Sequence, residues 1–226
     1  MKRAWLLLIS LFNFCILVAQ PTYQIKHYSV NDGMSQGIVQ TIIQDKKGFL
    51  WFGTWNGLNK FDGYTFKNYK TSYKDGYILN TNRISQIAET KYGDIWCQAY
   101  AGRVYMFDNH TEKFIDVLGS VAETMIVNNY ADHIYTLSKG ISWITFQNEC
   151  AAIRIDDQLC KQGKGITLYS SFKQNLKGDT IYTVFEDSEG DEWILTNKGI
   201  SIIGKKQVDS DCPFQYIKEA DGIISL

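Results

Sequence analysis

Two prolines and three histidines are all that this chain of 226 residues holds of either type, and no stretch of it is low in complexity or long in one charge. The histidines, His27, His110 and His133, sit apart and at no metal-ligand spacing, so no metal and no cofactor is expected. Lys and Arg number 23 against 24 Asp and Glu, a net charge of −1, which leaves no basic excess for a nucleic acid partner. Long apolar runs are missing after the first twenty residues. What the chain has instead is glycine, at 18 residues, and aromatics, at 14%. Frequent Gly, many aromatics and little helical periodicity predict an all-β chain of short strands and tight turns.

The N-terminus reads as a processing signal. Met1-Lys2-Arg3 is a positive leader, Ala4 to Val18 is apolar except for Ser10 and Asn13, and Ala19 offers a cleavage point before Gln20. The run is shorter than the roughly 20 residues of a spanning helix, with a retained anchor as the alternative. Cys15 lacks the small preceding residue that lipid attachment prefers. Residues 1–19 are therefore expected to be a signal peptide, and residues 20–226 a periplasmic or secreted chain with no further membrane span. Four cysteines remain after cleavage: Cys97, Cys150, Cys160 and Cys212. In an oxidising compartment Cys150 and Cys160 could close a short loop, or both could be buried thiols.

Internal repetition organises the rest. Gly48, Trp51 and Gly57 recur as Gly93, Trp96 and Gly102 at an offset of 45, and as Gly190, Trp193 and Gly199 at an offset of 142. A worn copy between them, DHIYTLSKGISWITF, puts Tyr135 in the Trp place and Gly140 in the place of Gly57. That alignment leaves surplus residues in 156–179, read as a long connection. Each unit reads strand, Asp-x-x-Gly turn, Trp-bearing strand, Asn-Gly or Lys-Gly hairpin, strand, turn, strand. The expectation is an all-β β-propeller of about four four-stranded antiparallel blades, partial or open, near 38–70, 83–117, 122–155 and 180–218.

The run D-x-x-G-x-x-W-x-G-T-x-x-G-L-x-x-F-D, present as Asp45 to Asp62, resembles the two-component regulator propeller repeat. The lead-in HYSVNDGMSQGIVQTI at 27–42, with its D-G-[LM]-S turn, is similar to the start of such propellers. The resemblance spans roughly 23–226 and is weakest in the third unit, with Gln98 and Leu195 departing from Gly53. It implies an exported sensor propeller that recognises oligosaccharides, joined in full-length relatives to a histidine kinase and output domains. None of the kinase motifs is seen in this chain. Residues 216–225 echo 28–35, so a truncated or split sensor with an open arc of blades is expected.

Asp45, Asp62 and Asp187 could be imagined as glycosidase carboxylates, but their regular place at hairpins explains them as turn residues. Ser35 and Ser201 have no activating neighbour, so no catalytic residue is expected. Strand alternation brings the second hairpin of each blade and the blade-to-blade connection to one face. That face should carry Trp55 and Asn56, Tyr100 and Arg103, Asn197 and Lys198, with Asn80 and Asn82 on an incoming connection. Aromatic plates with amide and cationic donors suit sugar rings; ordinary exposed turn residues are the alternative. The expected partner is an oligosaccharide, with a homodimer through the remaining or missing propeller also open. The rivals are a free-standing secreted binding or scaffold protein and a propeller polysaccharide lyase or glycosidase.

Overall fold

The computed structural model describes residues 24–70, 79, 81–100, 102–119, 130–146, 151–170, 180–204 and 215–217. The proposed signal peptide, Asn80, Cys150, Cys212 and most of the 216–225 echo lie outside these residues. Four antiparallel four-stranded sheets follow one another along the chain, each in sequence order from its inner to its outer strand. The first holds β1 (Val39–Gln44), β2 (Leu50–Thr54), β3 (Gly57–Phe61) and β4 (Phe66–Tyr69). The second holds β5 (Ile84–Glu89), β6 (Ile95–Ala99), β7 (Val104–Asp108) and β8 (Lys113–Ile115). The third holds β9 (Ala131–Thr136), β10 (Ile141–Phe146), β11 (Ala151–Asp156) and β12 (Ile166–Ser170). The fourth holds β13 (Ile181–Glu186), β14 (Glu192–Thr196), β15 (Gly199–Ile203) and β16 (Gln215–Ile217). These are propeller blades.

Local chemistry makes each blade. At the turn between β1 and β2, one Asp45 oxygen accepts the backbone N–H groups of Lys47 and Phe49, both at 2.9 Å. Asp187 does the same for Glu189 and Asp191, and Asp62 for Tyr64 and Thr65. The turn reading of these carboxylates therefore holds. Gly57 closes the next hairpin at φ +115°, where a Cβ would stand 2.5 Å from the Tyr69 carbonyl oxygen; no other residue fits there without displacing backbone.

The blades bury their tryptophans against the blade that follows. Trp51 joins a core with Ile84, Ile95, Tyr105 and Phe107 of the second blade. Trp96 packs with Ile134, Ile144, Ile153 and Ile155 of the third. Trp143 packs with Ile181, Val184, Ile194 and Ile203 of the fourth. All three indoles are fully buried, and their apolar area is the main glue between sheets. Gly53 is crowded from both sides, because a Cβ there would meet Thr41 Cγ2 of its own blade at 2.6 Å and Ile84 Cγ2 of the next at 2.9 Å. The other face of the first blade is covered by the lead-in. Tyr28 packs on Phe61 and Phe66, Met34 is buried, and the Ser35 N–H donates to Asn59 Oδ1 at 2.8 Å.

The third blade corrects the repeat alignment. Trp143 pairs with Tyr135 across β9 and β10, as Trp51 pairs with Ile43 and Trp193 with Phe185. The Trp place is therefore filled by Trp143, and Tyr135 occupies the inner-strand position opposite it. Gly140 is the equivalent of Gly48: each donates its N–H to the carbonyl three residues back, of Leu137 and Asp45. The tryptophans then fall at 51, 96, 143 and 193, spaced by 45, 47 and 50 residues. The blade runs from Ala131 to Ser170, beyond the boundary expected at 155, because the stretch read as a connection contains a 3-10 turn (Leu159–Gln162) and β12. The misreading has a physical cause. Leu137 replaces the turn Asp, and β11 and β12 are joined by residues 157–165 instead of a tight hairpin.

Candidate functional site

In the first, second and fourth blades the second hairpin is tied to the strand entrance beside it. The Trp55 N–H donates to the Ile38 carbonyl, the Tyr100 N–H to that of Arg83 and the Asn197 N–H to that of Thr180. The Gly57 N–H donates to the Asn82 carbonyl at 2.7 Å, which links the first blade's hairpin to the second blade's incoming connection. Hairpins and blade-to-blade connections thus share one face, as the strand count requires. Trp55 and Tyr100 stand on it, 40% and 65% exposed. Between them reaches Arg83, the residue ahead of β5, with its guanidinium carbon 5.0 Å from the Trp55 ring centre and 5.6 Å from the Tyr100 ring centre. Both distances lie in the cation–π range.

The other expected site residues are placed differently. The Asn56 side chain donates to the Ser35 carbonyl at 3.2 Å and pins the lead-in. Arg103 sits 3.9 Å from Asp116, at the long limit of an ion pair. Asn197 Oδ1 accepts the Thr180 N–H at 3.3 Å and the Lys198 N–H donates to Thr196 Oγ1 at 3.2 Å, so both serve the fourth blade's hairpin, two blades beyond Tyr100. Arg83 was absent from the sequence-derived set. The signal that would have found it is positional: Trp55 and Tyr100 each lie four residues after a blade tryptophan, and their backbone partner is the residue that opens the inner strand.

At blade interiors, the indole N–H groups follow a rule of their own. Trp51 and Trp193 each donate to the turn aspartate of their own blade, Asp45 and Asp187, at 2.8 Å. The second and third blades have Thr90 and Leu137 in that place, and their indoles donate across to the next blade. Trp96 Nε1 donates to Ser142 Oγ at 2.9 Å and to Asp157 Oδ1 at 3.2 Å. Trp143 Nε1 donates to Glu192 Oε2 at 2.7 Å, and Glu192 also pairs with Arg154 at 2.6 Å. Among the described residues Asp157 Oδ2 is buried with no hydrogen-bond partner, and burial pushes that carboxyl above the usual aspartate range. Asp62 and Asp187 are held below it, by backbone N–H groups of the turn and, for Asp187, by the Trp193 indole as well.

Cys160 is a free, buried thiol that donates to the Asp157 carbonyl at 3.4 Å; Cys150, its expected loop partner, lies outside the described residues. Burial pushes the Cys160 thiol up to about 12. Among the described residues no cluster of His, Cys, Asp and Glu could hold a metal ion, and no helix is long and apolar enough to cross a membrane.

This architecture is that of a β-propeller, and its first blade identifies the repeat. Residues 33–56 match the two component regulator propeller family, so the chain carries that repeat. A stretch of 83 residues, 35% of the chain, is 37% identical to histidine kinase P4 of Formosa agariphila, of which it covers 6%. Among solved structures, the fold is similar to the extracellular domain assigned to a hybrid two component system of B. thetaiotaomicron. The TM-score is 0.60 at 23% identity, over 88% of this chain and 27% of that one. A virginiamycin B lyase of Staphylococcus aureus, in a catalytically inactive form with quinupristin, shares the fold at a TM-score of 0.57 and 16% identity, over 88% of this chain and 61% of that one. The chain thus spans a small part of the kinase and about a quarter of the sensor domain.

Proposed function

We propose that this chain is an exported sensing propeller of a two-component system and that it recognises carbohydrate on the hairpin face, at Trp55 and Tyr100. The observation that carries the reading is the two component regulator propeller repeat in the first blade, whose second hairpin presents Trp55. Two exposed aromatic plates flanking a cation give sugar C–H faces a surface to stack on and hydroxyls a donor. The reading assigns ligand recognition to the chain and no catalytic step. The lyase likeness is one of fold, and the scattered His27, His110 and His133 give it no convergent acid and base.

Isothermal titration of the exported chain against a panel of plant and algal oligosaccharides tests this. Binding should be found for at least one sugar, and Trp55→Ala should weaken it by at least about tenfold, the loss expected for one stacking plate. Binding that is unchanged in both Trp55→Ala and Tyr100→Ala would place the site elsewhere. No binding across the panel would end the carbohydrate reading.

A further inference from the structure

We infer that the ligand carries an anionic group, a carboxylate or a sulfate on a sugar, and that Arg83 holds it. The inference rests on the carbohydrate reading above and goes on to its charge class. Arg83 is exposed, and its guanidinium lies over two aromatic rings, Trp55 of the first blade and Tyr100 of its own. Cation–π contact with two rings uses no oxygen acceptor, so it leaves the guanidinium's demand for hydrogen-bond acceptors unmet. Among the described residues no carboxylate lies within ion-pair distance of Arg83, and no acceptor takes a hydrogen bond from its side chain.

The comparison with its neighbours sharpens the point. Of the other described arginines, Arg154 pairs with Glu192 at 2.6 Å and Arg103 faces Asp116 at 3.9 Å. The two positions equivalent to Arg83 by backbone bonding are Ile38 and Thr180, so the cation is a local feature of the junction between the first two blades, not a requirement of the fold. A guanidinium held beside two rings is restrained to take an oxyanion, two N–H groups to two oxygens. The same rings stand ready for the sugar that bears the anion. A lysine would supply the charge without the planar fork or the ring contact.

The test uses three trisaccharides on one galactose backbone: neutral, 6-O-sulfated and uronic acid. Each is titrated into the exported chain and into its Arg83→Gln and Arg83→Lys variants. At least one anionic form should bind about tenfold or more tighter than the neutral form, in line with one charge-assisted bidentate contact. The advantage should fall with added salt, vanish in Arg83→Gln and return only in part in Arg83→Lys. The sulfate and uronate arms tell the two anions apart. If the neutral sugar binds as tightly as both anionic ones while Trp55→Ala still weakens it, the anionic inference fails and the carbohydrate reading stands. If no trisaccharide binds, inorganic sulfate is titrated while intrinsic tryptophan fluorescence is followed in the native chain and in Trp55→Phe, which isolates the Trp55 signal. A response lost in Arg83→Gln keeps the anion site, and no response overturns it. Native thermal unfolding in the Gln variant, where Arg83 is exposed, confirms that any loss is one of binding.

Discussion

Trp143 of the third blade donates its indole N–H to Glu192 of the fourth at 2.7 Å, and Arg154 beside it pairs with the same carboxylate. The three groups form a largely buried polar seam between two sheets that also meet through apolar side chains and through Ser138 and Lys139 against Glu186. Glu192→Ala would leave a guanidinium and an indole N–H without their acceptor, a loss of about 3–5 kcal/mol for breaking one side of a buried pair. Glu192→Gln combined with Arg154→Met should recover most of it, because the amide oxygen still accepts the indole and no charge remains buried. Urea unfolding of the two variants measures the difference. Equal losses in both would show that the charge pair itself, and not the orphaned guanidinium, carries the stability of the seam.

The third-blade register makes a second, sharper expectation. Trp143 is fully buried and Tyr135 is half-buried on the inner strand. Trp143→Ala should destabilise by about 3–5 kcal/mol, the cost of emptying a large core site. Tyr135→Ala removes less buried area and should lose clearly less. Thermal unfolding of the pair decides between the two residues as the structural partner of Trp51, Trp96 and Trp193, and the opposite order would restore Tyr135 to that place.

Asp157 sets a pH signature. Burial holds its carboxyl above the ordinary aspartate value in the folded chain. The folded state therefore keeps the proton more tightly than the unfolded state. The stabilisation this gives is complete below the unfolded value and is lost as pH rises towards the folded one. Asp157→Asn retains an oxygen for Ser142 and Trp96 and carries no charge. Its stability relative to the native chain should be near zero in acid, climb as pH rises through that window, and then level. Melting temperatures of both proteins from about pH 3.5 to pH 7 would show it; a difference independent of pH would remove Asp157 from the account. Asp62 and Asp187, held low by their turns, act with the opposite sign, and they cancel in this comparison because both proteins contain them.

How much of this could be read from the residues alone depends on the range of the contact. The Asp-x-x-Gly turns were legible at 45–48 and 187–190 because the carboxylate bonds amides two and four residues ahead, within one turn of chain. The third blade was misread where Leu137 stands in the aspartate's place. The hairpin residues on the candidate face were found by strand counting, but Asn56 was spent on the lead-in. Arg83, which lies 28 residues after Trp55, was not seen.

The sequence alone determined that the chain is built of strand–turn–strand units near a period of 45, that tryptophan fills their centres and that glycine closes their hairpins. These follow from backbone sterics and bonds between residues a few positions apart. Only the tertiary structure decided which tryptophan belongs to the third blade, that Trp96 and Trp143 hand their N–H groups to the next blade while Trp51 and Trp193 keep theirs, and that Arg83 lies over both Trp55 and Tyr100. Those outcomes rest on contacts between blades. Such contacts are set by how sheets stack, and no local pattern in the chain encodes that stacking.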